Sequence, residues 1–187
     1  MSGKRSNNPE PASDAGPGAT GNPLTWRGFV PAMASAVALG IIGLLGWAAG
    51  MPWLFPSLGP TVAIQTTSPH SPGARPWNVI GGHLIGIGAG FIALFVTGAI
   101  ATPSVVVAQA LSVPRVLAAM LAVFLSMLLQ PMLKMQHPPA EATTLLIALG
   151  ALPATSRGAL VVVIGVLWVT VLGELAKRFA KPENLQT

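Results

Sequence analysis

The chain lacks cysteine and has few charged side chains. None of its 187 residues is cysteine, which excludes disulfide bonds and metal sites built from thiolates. Charged residues make up 8% of the chain, whereas a soluble domain usually carries about 25%. Hydrophobic residues make up 52%, and the mean hydropathy is +0.67. A surface this poor in charge is not stable in water, so we expect one integral membrane domain surrounded by the lipid bilayer.

Motifs of enzymes and of nucleic-acid-binding proteins are also missing. The chain has no nucleophile motif, no phosphate-binding glycine loop and no carboxylate pair at catalytic spacing, so we expect neither enzyme activity nor a cofactor. The three histidines are scattered without paired carboxylates, which argues against a metal site. The net charge is +5, but the basic residues flank apolar stretches and form no cluster interleaved with aromatics. We therefore expect no nucleic-acid partner.

Four apolar stretches are long enough to cross a bilayer as helices, which takes about 20 residues. They cover residues 29–50, 78–100, 113–133 and 158–176. The preceding residues are rich in Ser, Asn, Pro and Gly and cannot bury enough apolar surface to become ordered. We expect a disordered tail at 1–25, a transmembrane domain at 26–178 and a C-terminal tail at 179–187.

Two shorter apolar stretches, at 52–68 and 138–152, are broken by prolines. Each begins with an extended Pro-rich segment, continues as a short helical run, and is followed by an arginine and a long span. The chain thus contains two copies of long helix, broken element, long helix, an order common in transporters. The predicted fold is an all-α membrane protein, a helical bundle of four long transmembrane helices plus two broken or re-entrant half-helices, with an internal two-fold repeat.

The number of membrane passes depends on the broken elements. If they cross, there are six passes, the copies are inverted, and only Arg115 and Arg157 lie on the far side. If they re-enter, there are four passes, the copies are parallel, and Arg75 and Lys134 move outside. The excess of basic residues on the cytoplasmic side slightly favours crossing. Both models place both termini in the cytoplasm, and the expected location is the bacterial inner (plasma) membrane.

The second broken element contains the most informative motif, His137-Pro138-Pro139-Ala140-Glu141. Two prolines cannot lie inside a continuous helix but can open one. A helix that begins within the membrane is expected to present unpaired N–H groups and the positive end of its dipole, which favours an anion. An ionisable residue within an apolar segment indicates function. Glu141 is therefore a candidate proton carrier and His137 a candidate hydrogen-bond donor or proton relay.

Two other segments, one before the second span and one within it, contain residues similar to those of the His-Pro-Pro motif. Leu58-Gly59-Pro60-Thr61 mirrors the first motif: Gly59 allows close approach of the backbone, Pro60 starts a helix and Thr61 offers a hydroxyl. His83 lies in the second long span, where it either lines the same cavity or bonds a neighbouring helix. Glycines at every fourth position on this span favour close helix packing, at an internal or a subunit contact. They are Gly82, Gly86 and Gly90.

The motifs resemble those of the HPP family of integral membrane proteins. The resemblance rests on His137-Pro138-Pro139-Ala140 with Ala142-Thr143, on Leu58-Gly59-Pro60-Thr61, and on Pro76–His83, and it covers about residues 26–178. Family members are described as having four membrane spans, which favours the re-entrant model. The resemblance implies nitrite transport.

Our first functional hypothesis is a transporter or channel for a small inorganic anion, nitrite first. The anion would bind at Gly59, Pro60, Thr61, His137, Pro138 and Pro139, with His83 and Glu141 handling a coupled proton. Since the domain is small, we expect a homo-oligomer. The alternative is a membrane sensor or assembly subunit that transports nothing and in which the His-Pro-Pro element is only structural.

Overall fold

The computed structural model describes residues 26–179, which form a bundle of α-helices. The predicted tails at 1–25 and 179–187 lie outside the described residues, except for Phe179, which is the last residue of α7. The helices are α1 (Trp26–Ala48), α2 (Leu58–Thr67), α3 (Pro76–Val96), α4 (Val105–Ala108), α5 (Val113–Met132), α6 (Ala140–Ala148) and α7 (Ser156–Phe179). Single 3₁₀ turns lie at Pro72–Ala74 and Ala99–Ala101. The all-helical prediction is confirmed for this part of the chain.

The four predicted spans are helices long and apolar enough to cross a membrane: α1, α3, α5 and α7. Helix α3 is central, since 56% of its most apolar 18-residue segment is buried, compared with 11% of the corresponding segment of α1. It starts two residues before the predicted span because Pro76 suits the first helical position. It ends early because Gly98 adopts a left-handed conformation at φ +68°, which closes the helix.

The first broken element runs from one end of the bundle to the other. It leaves the end of α1 at Met51, and Phe55 packs against Gly165 in the middle of α7. Helix α2 then continues towards the end of the bundle where α1 begins, and there Gln65 contacts Gly173 near the end of α7. At this level the Thr66 hydroxyl lies 2.8 Å from that of Ser35 on α1. The element therefore crosses the bundle antiparallel to α1.

The second broken element crosses in the opposite direction. It leaves α5 at the end of the bundle where α3 begins, and Met135 packs on Gly81 of α3. Helix α6 then follows α3 away from that end, with Ala140 and Thr144 beside Gly86 and Ile147 beside Gly90. The two copies of the repeat are thus inverted, the crossing model is the one found, and α1 begins at the end of the bundle where α7 finishes.

The glycines of α3 form the surface on which the His-Pro-Pro element packs. A Cβ on Gly82 would lie 2.7 Å from the Cβ of His137, and one on Gly86 would lie 2.6 Å from Thr144 Oγ1. A Cβ on Gly90 would lie 2.8 Å from Ile147 Cγ2. These distances are shorter than van der Waals contact, so only glycine allows α6 to lie this close. The glycine stripe is an internal contact.

The far end of α6 is held by Arg115, which is 5% exposed. Its guanidinium donates to the carbonyl oxygen of Ala148 at 3.0 Å, and also to those of Thr102 at 2.8 Å and Pro103 at 3.3 Å. A cation at this position satisfies carbonyls that a helix end leaves free and is favoured by the negative end of the helix dipole. Arg115 thus fixes α6 at the end of the bundle opposite the start of α1.

Candidate functional site

Thr61, His83 and His137 meet where α2 and α6 begin. The Thr61 hydroxyl oxygen lies 3.0 Å from Nε2 of His137 and 3.3 Å from Nε2 of His83. The centroids of the two imidazole rings are 5.1 Å apart. All three side chains are buried, at 0%, 1% and 0% exposure for Thr61, His83 and His137. The structure therefore brings together three residues that the sequence singled out on three separate elements.

The cluster continues on both sides as a chain of hydrogen bonds. On one side His83 Nδ1 lies 2.8 Å from the hydroxyl of Thr143, which lies 2.7 Å from that of Ser57. On the other side His137 Nδ1 lies 2.8 Å from the carbonyl oxygen of Gly73. Ser57 before α2 and Thr143 in the first turn of α6 are thus bonded to each other through their hydroxyls and to the cluster through His83.

Counting donors shows that the Thr61 hydroxyl responds to the protonation of His137. A carbonyl oxygen can only accept, so His137 Nδ1 donates to Gly73. When His137 is neutral, its Nε2 is an acceptor and Thr61 donates to it. When His137 carries a second proton, Nε2 donates to Thr61, and the hydroxyl turns to the carbonyl oxygen of Ser57 at 2.8 Å. The cluster has two complete hydrogen-bond arrangements that differ by one proton.

The backbone at the two helix starts differs from the sequence prediction. The first N–H groups of α2, from Leu58 and Gly59, donate to the carbonyls of Phe55 and Pro56 at 3.0 and 3.3 Å. Those of α6, from Ala140, Glu141 and Ala142, donate to His137, Pro138 and Pro139 at 2.9, 3.1 and 3.2 Å. The expectation of unpaired N–H groups is wrong, because the residues before both helices, Ser57 and Pro139, already have helical dihedral angles.

The dipoles of helices α2 and α6 are still present, and their direction determines which charge they favour. Helices α2 and α6 run outward in opposite directions from the interior of the bundle, and Ser57 before α2 contacts Thr143 in α6. Both positive ends therefore point at the Thr61–His83–His137 cluster. No carboxylate bonds to these three side chains within the described part of the chain. The local field favours negative charge at the cluster.

Glu141 forms a second polar group beside the first. Its Oε1 accepts from Gln130 Nε2 at 2.7 Å and from the hydroxyl of Ser126 at 2.9 Å. Gln130 also accepts, through its Oε1, the backbone N–H of His137 at 2.8 Å. The side-chain amide of Gln130, which lies on α5, thus joins the carboxylate of Glu141 to the backbone of the His-Pro-Pro motif.

The prolines and Gly59 surround the cluster without bonding to it. Gly59 is partly buried, and a Cβ there would meet no atom within 4 Å, so the predicted close approach of the backbone is wrong at this position. Pro60 and Pro138 are exposed, whereas Pro139 is buried. Their fixed φ positions Thr61 and His137, and their side chains take no part in the polar contacts.

Sequence reasoning missed Ser57, Ser126, Gln130 and Thr143. A signal was present: Ser57 and Thr61 are four residues apart, as are Ser126 and Gln130, so each pair lies on one face of an otherwise apolar helical segment. All of these side chains are at most 4% exposed. Buried polar groups in an apolar helix need partners, and the partners of these four lie at the candidate site.

The fold and the buried centre define an integral membrane protein in which two short helices, α2 and α6, begin next to each other inside the bundle. The family model for the HPP transmembrane region matches residues 22–184. The chain therefore belongs to the HPP family, as the His-Pro-Pro motif indicated. No curated protein and no solved structure matches it.

Proposed function

We propose that this protein is a membrane transporter or channel for a small monovalent anion, with nitrite as the first substrate to test. The observation that carries the proposal is the buried Thr61–His83–His137 cluster at the positive ends of two half-helices. Imidazole and hydroxyl donors can replace the water of an anion, and helix starts inside a membrane serve this purpose in known transporter folds. Nitrite itself rests on the family resemblance.

The cluster would accept an anion in its protonated arrangement. A second proton on His137 places a positive charge between two positive dipole ends, which is costly unless an anion enters with it. Thr61 and both imidazoles would then turn their donors to the anion. Because the buried positive charge is costly without an anion, we infer that proton and anion enter together.

The distribution of basic residues supports a cytoplasmic position for the end of the bundle where α1 starts and α7 finishes. Among the described residues, Arg75, Lys134 and Lys177 lie at this end, and Arg115 and Arg157 at the other. The excess of positive charge lies on the cytoplasmic side in inner-membrane proteins. We therefore propose an orientation with both termini in the cytoplasm of a bacterial cell.

The test is nitrite influx into proteoliposomes, with and without an inward proton gradient. His137→Ala removes two hydrogen bonds of the cluster and should abolish influx. His70→Ala is the matched control, because His70 is an exposed loop residue outside the cluster, and it should leave influx unchanged. If the well-folded wild type carries none of nitrite, nitrate, formate and chloride, the proposal is wrong.

A non-transporting sensor or assembly subunit is the second candidate. It is favoured by one observation: every polar side-chain atom of the Thr61–His83–His137 cluster has a partner within the protein, as in a structural contact. Such a protein would lose its oligomeric assembly in His137→Ala and would show no flux. A transporter would lose flux and keep its assembly, which size-exclusion chromatography in detergent can measure. The expected homo-oligomer is tested in the same experiment.

A further inference from the structure

A cavity of about 430 Å³ lies beside the His-Pro-Pro motif, next to the end of the bundle where α1 begins and α7 finishes. Its wall includes Gly73, Gln130, His137 and Glu141, and exposed Gln136 lies at its rim. This volume holds several water molecules. The cavity therefore provides space for water beside the side chain of Glu141.

The carboxylate of Glu141 is only half satisfied. Oε1 accepts two hydrogen bonds, from Gln130 and Ser126, whereas Oε2 is buried and has no hydrogen-bond partner. The one ion pair among the side chains of residues 28–178 joins Lys177 to Glu174, so none of the cations in that range neutralises Glu141. A buried, unpaired carboxylate oxygen is costly when charged and is satisfied more easily when it carries a proton.

We propose that Glu141 is a second proton-loading site, beside His137, and that Gln130 transmits the charge state of Glu141 to the anion site. A hydronium ion in the cavity transfers its proton to the carboxylate, an O–H bond forms, and water remains. The side chain changes from one negative charge to none. Oε1 can keep both of its donors, because the proton is taken by Oε2.

Gln130 can transmit the change in charge of Glu141 because the hydrogen bond from His137 determines which way its amide group faces. The N–H of His137 can only donate, so the amide oxygen of Gln130 faces it and the amide nitrogen faces Glu141. A charged Glu141 strengthens the bond from Gln130 and opposes an anion at the nearby cluster. Proton loading weakens both effects. Since linkage is reciprocal, the proton raises the affinity for the anion and the anion raises the affinity for the proton.

Other ionisable groups around Glu141 are few in the described structure. His137 shares the cavity wall, and His83 contacts Thr143 on α6. Lys134 is exposed at the end of α5, and Arg115 binds the opposite end of α6. The two histidines belong to the anion site, so Glu141 is the one carboxylate that can take up a proton here. The coupling part of this inference depends on the proposed anion transport, whereas proton loading does not.

The experiment compares Glu141→Gln with wild type in two measurements. Glutamine keeps the acceptor at Oε1 and has nearly the same size and shape as a protonated glutamate side chain, so the variant should fold. The first measurement is the infrared band of a protonated carboxyl group in the detergent-solubilised protein on lowering the pH; we expect it in wild type and not in the variant. The second is nitrite influx, whose stimulation by a proton gradient should fall by about fivefold or more.

Gln130→Met tests the positioning role of the amide, and Gln136→Met is its matched control at the rim of the same cavity. We expect Gln130→Met to keep the carboxyl band and lower the stimulation, and Gln136→Met to keep both. An unchanged stimulation in Glu141→Gln would overturn the inference and leave anion transport intact. A carboxyl band without any anion flux would overturn the coupling and the proposed function together, and leave the proton site standing. Absence of the band in wild type would overturn the proton site.

Discussion

The contact between α3 and α6 makes Gly86 the most informative position for a stability measurement. In Gly86→Ala the new Cβ would lie 2.6 Å from Thr144 Oγ1 and 3.1 Å from the carbonyl oxygen of Ala140. The hydroxyl of Thr144 can rotate away. The carbonyl of Ala140 belongs to the helix backbone, so α6 itself must shift by several tenths of an ångström.

The expected magnitude follows from two opposing effects. Inserting a methyl group into a well-packed contact costs about 1–3 kcal/mol. Replacing glycine by alanine within a helix stabilises it by about 0.8–1 kcal/mol. On the same helix, a Cβ on Gly88 meets nothing within 4 Å, so Gly88→Ala has only the favourable effect. We therefore expect Gly86→Ala to be less stable than Gly88→Ala by about 1–3 kcal/mol.

The assay is reversible unfolding in mixed micelles of mild detergent and dodecyl sulfate, followed by tryptophan fluorescence. The comparison of the two variants cancels helix propensity, which both share. Equal stability of Gly86→Ala and Gly88→Ala would refute the packing argument, because the glycine stripe would then not be needed for the contact with α6. Greater stability of Gly86→Ala would place α6 further from α3 than described.

Two further predictions concern topology and the end of α6. A single cysteine at Ala49 and another at His70, in a chain without native cysteine, should react with a membrane-impermeant maleimide from opposite sides, because the first broken element crosses the bundle; labelling from the same side would restore the re-entrant model. Arg115→Met should lower the free energy of unfolding by about 1–3 kcal/mol, since it leaves buried carbonyls unpaired. In the same assay, Arg157→Met should change it little, and equal effects would contradict the role of Arg115.

The contacts of Arg115 and the paired N–H groups both show that the backbone of α6 is satisfied at its two ends. One end of α6 is held by the guanidinium, and the other is closed by the turn of His137-Pro138-Pro139. The backbone of α6 is thus satisfied by the protein, as irregular backbone within a membrane must be. What remains for a ligand is the dipole and the side chains, so site variants should be sought among Thr61, His83 and His137 rather than among the prolines.

Much of the architecture could be predicted from the sequence, because it depends on local properties. The four long helices follow from the length of apolar runs, which must match the bilayer. The two short helices, α2 and α6, could be predicted from the prolines, because the fixed φ and missing N–H of proline end the preceding segment and suit the start of a helix. The glycine stripe on α3 follows from a repeat of four, which places its members on one helix face.

The direction of the broken elements and the composition of the site were decided by the tertiary structure. Thr61 meets His83 and His137 across 22 and 76 residues of sequence, and each contact depends on how three separate elements pack. Gln130 bonds to Glu141 across 11 residues and to His137 across 7, which requires α5 to turn back beside the His-Pro-Pro motif. Sequence patterns report which face of a helix is polar, whereas hydrogen-bond partners depend on distances that only packing sets. The sequence by itself therefore determined which segments span the membrane and where they break, and the packing determined which polar side chains meet at the centre.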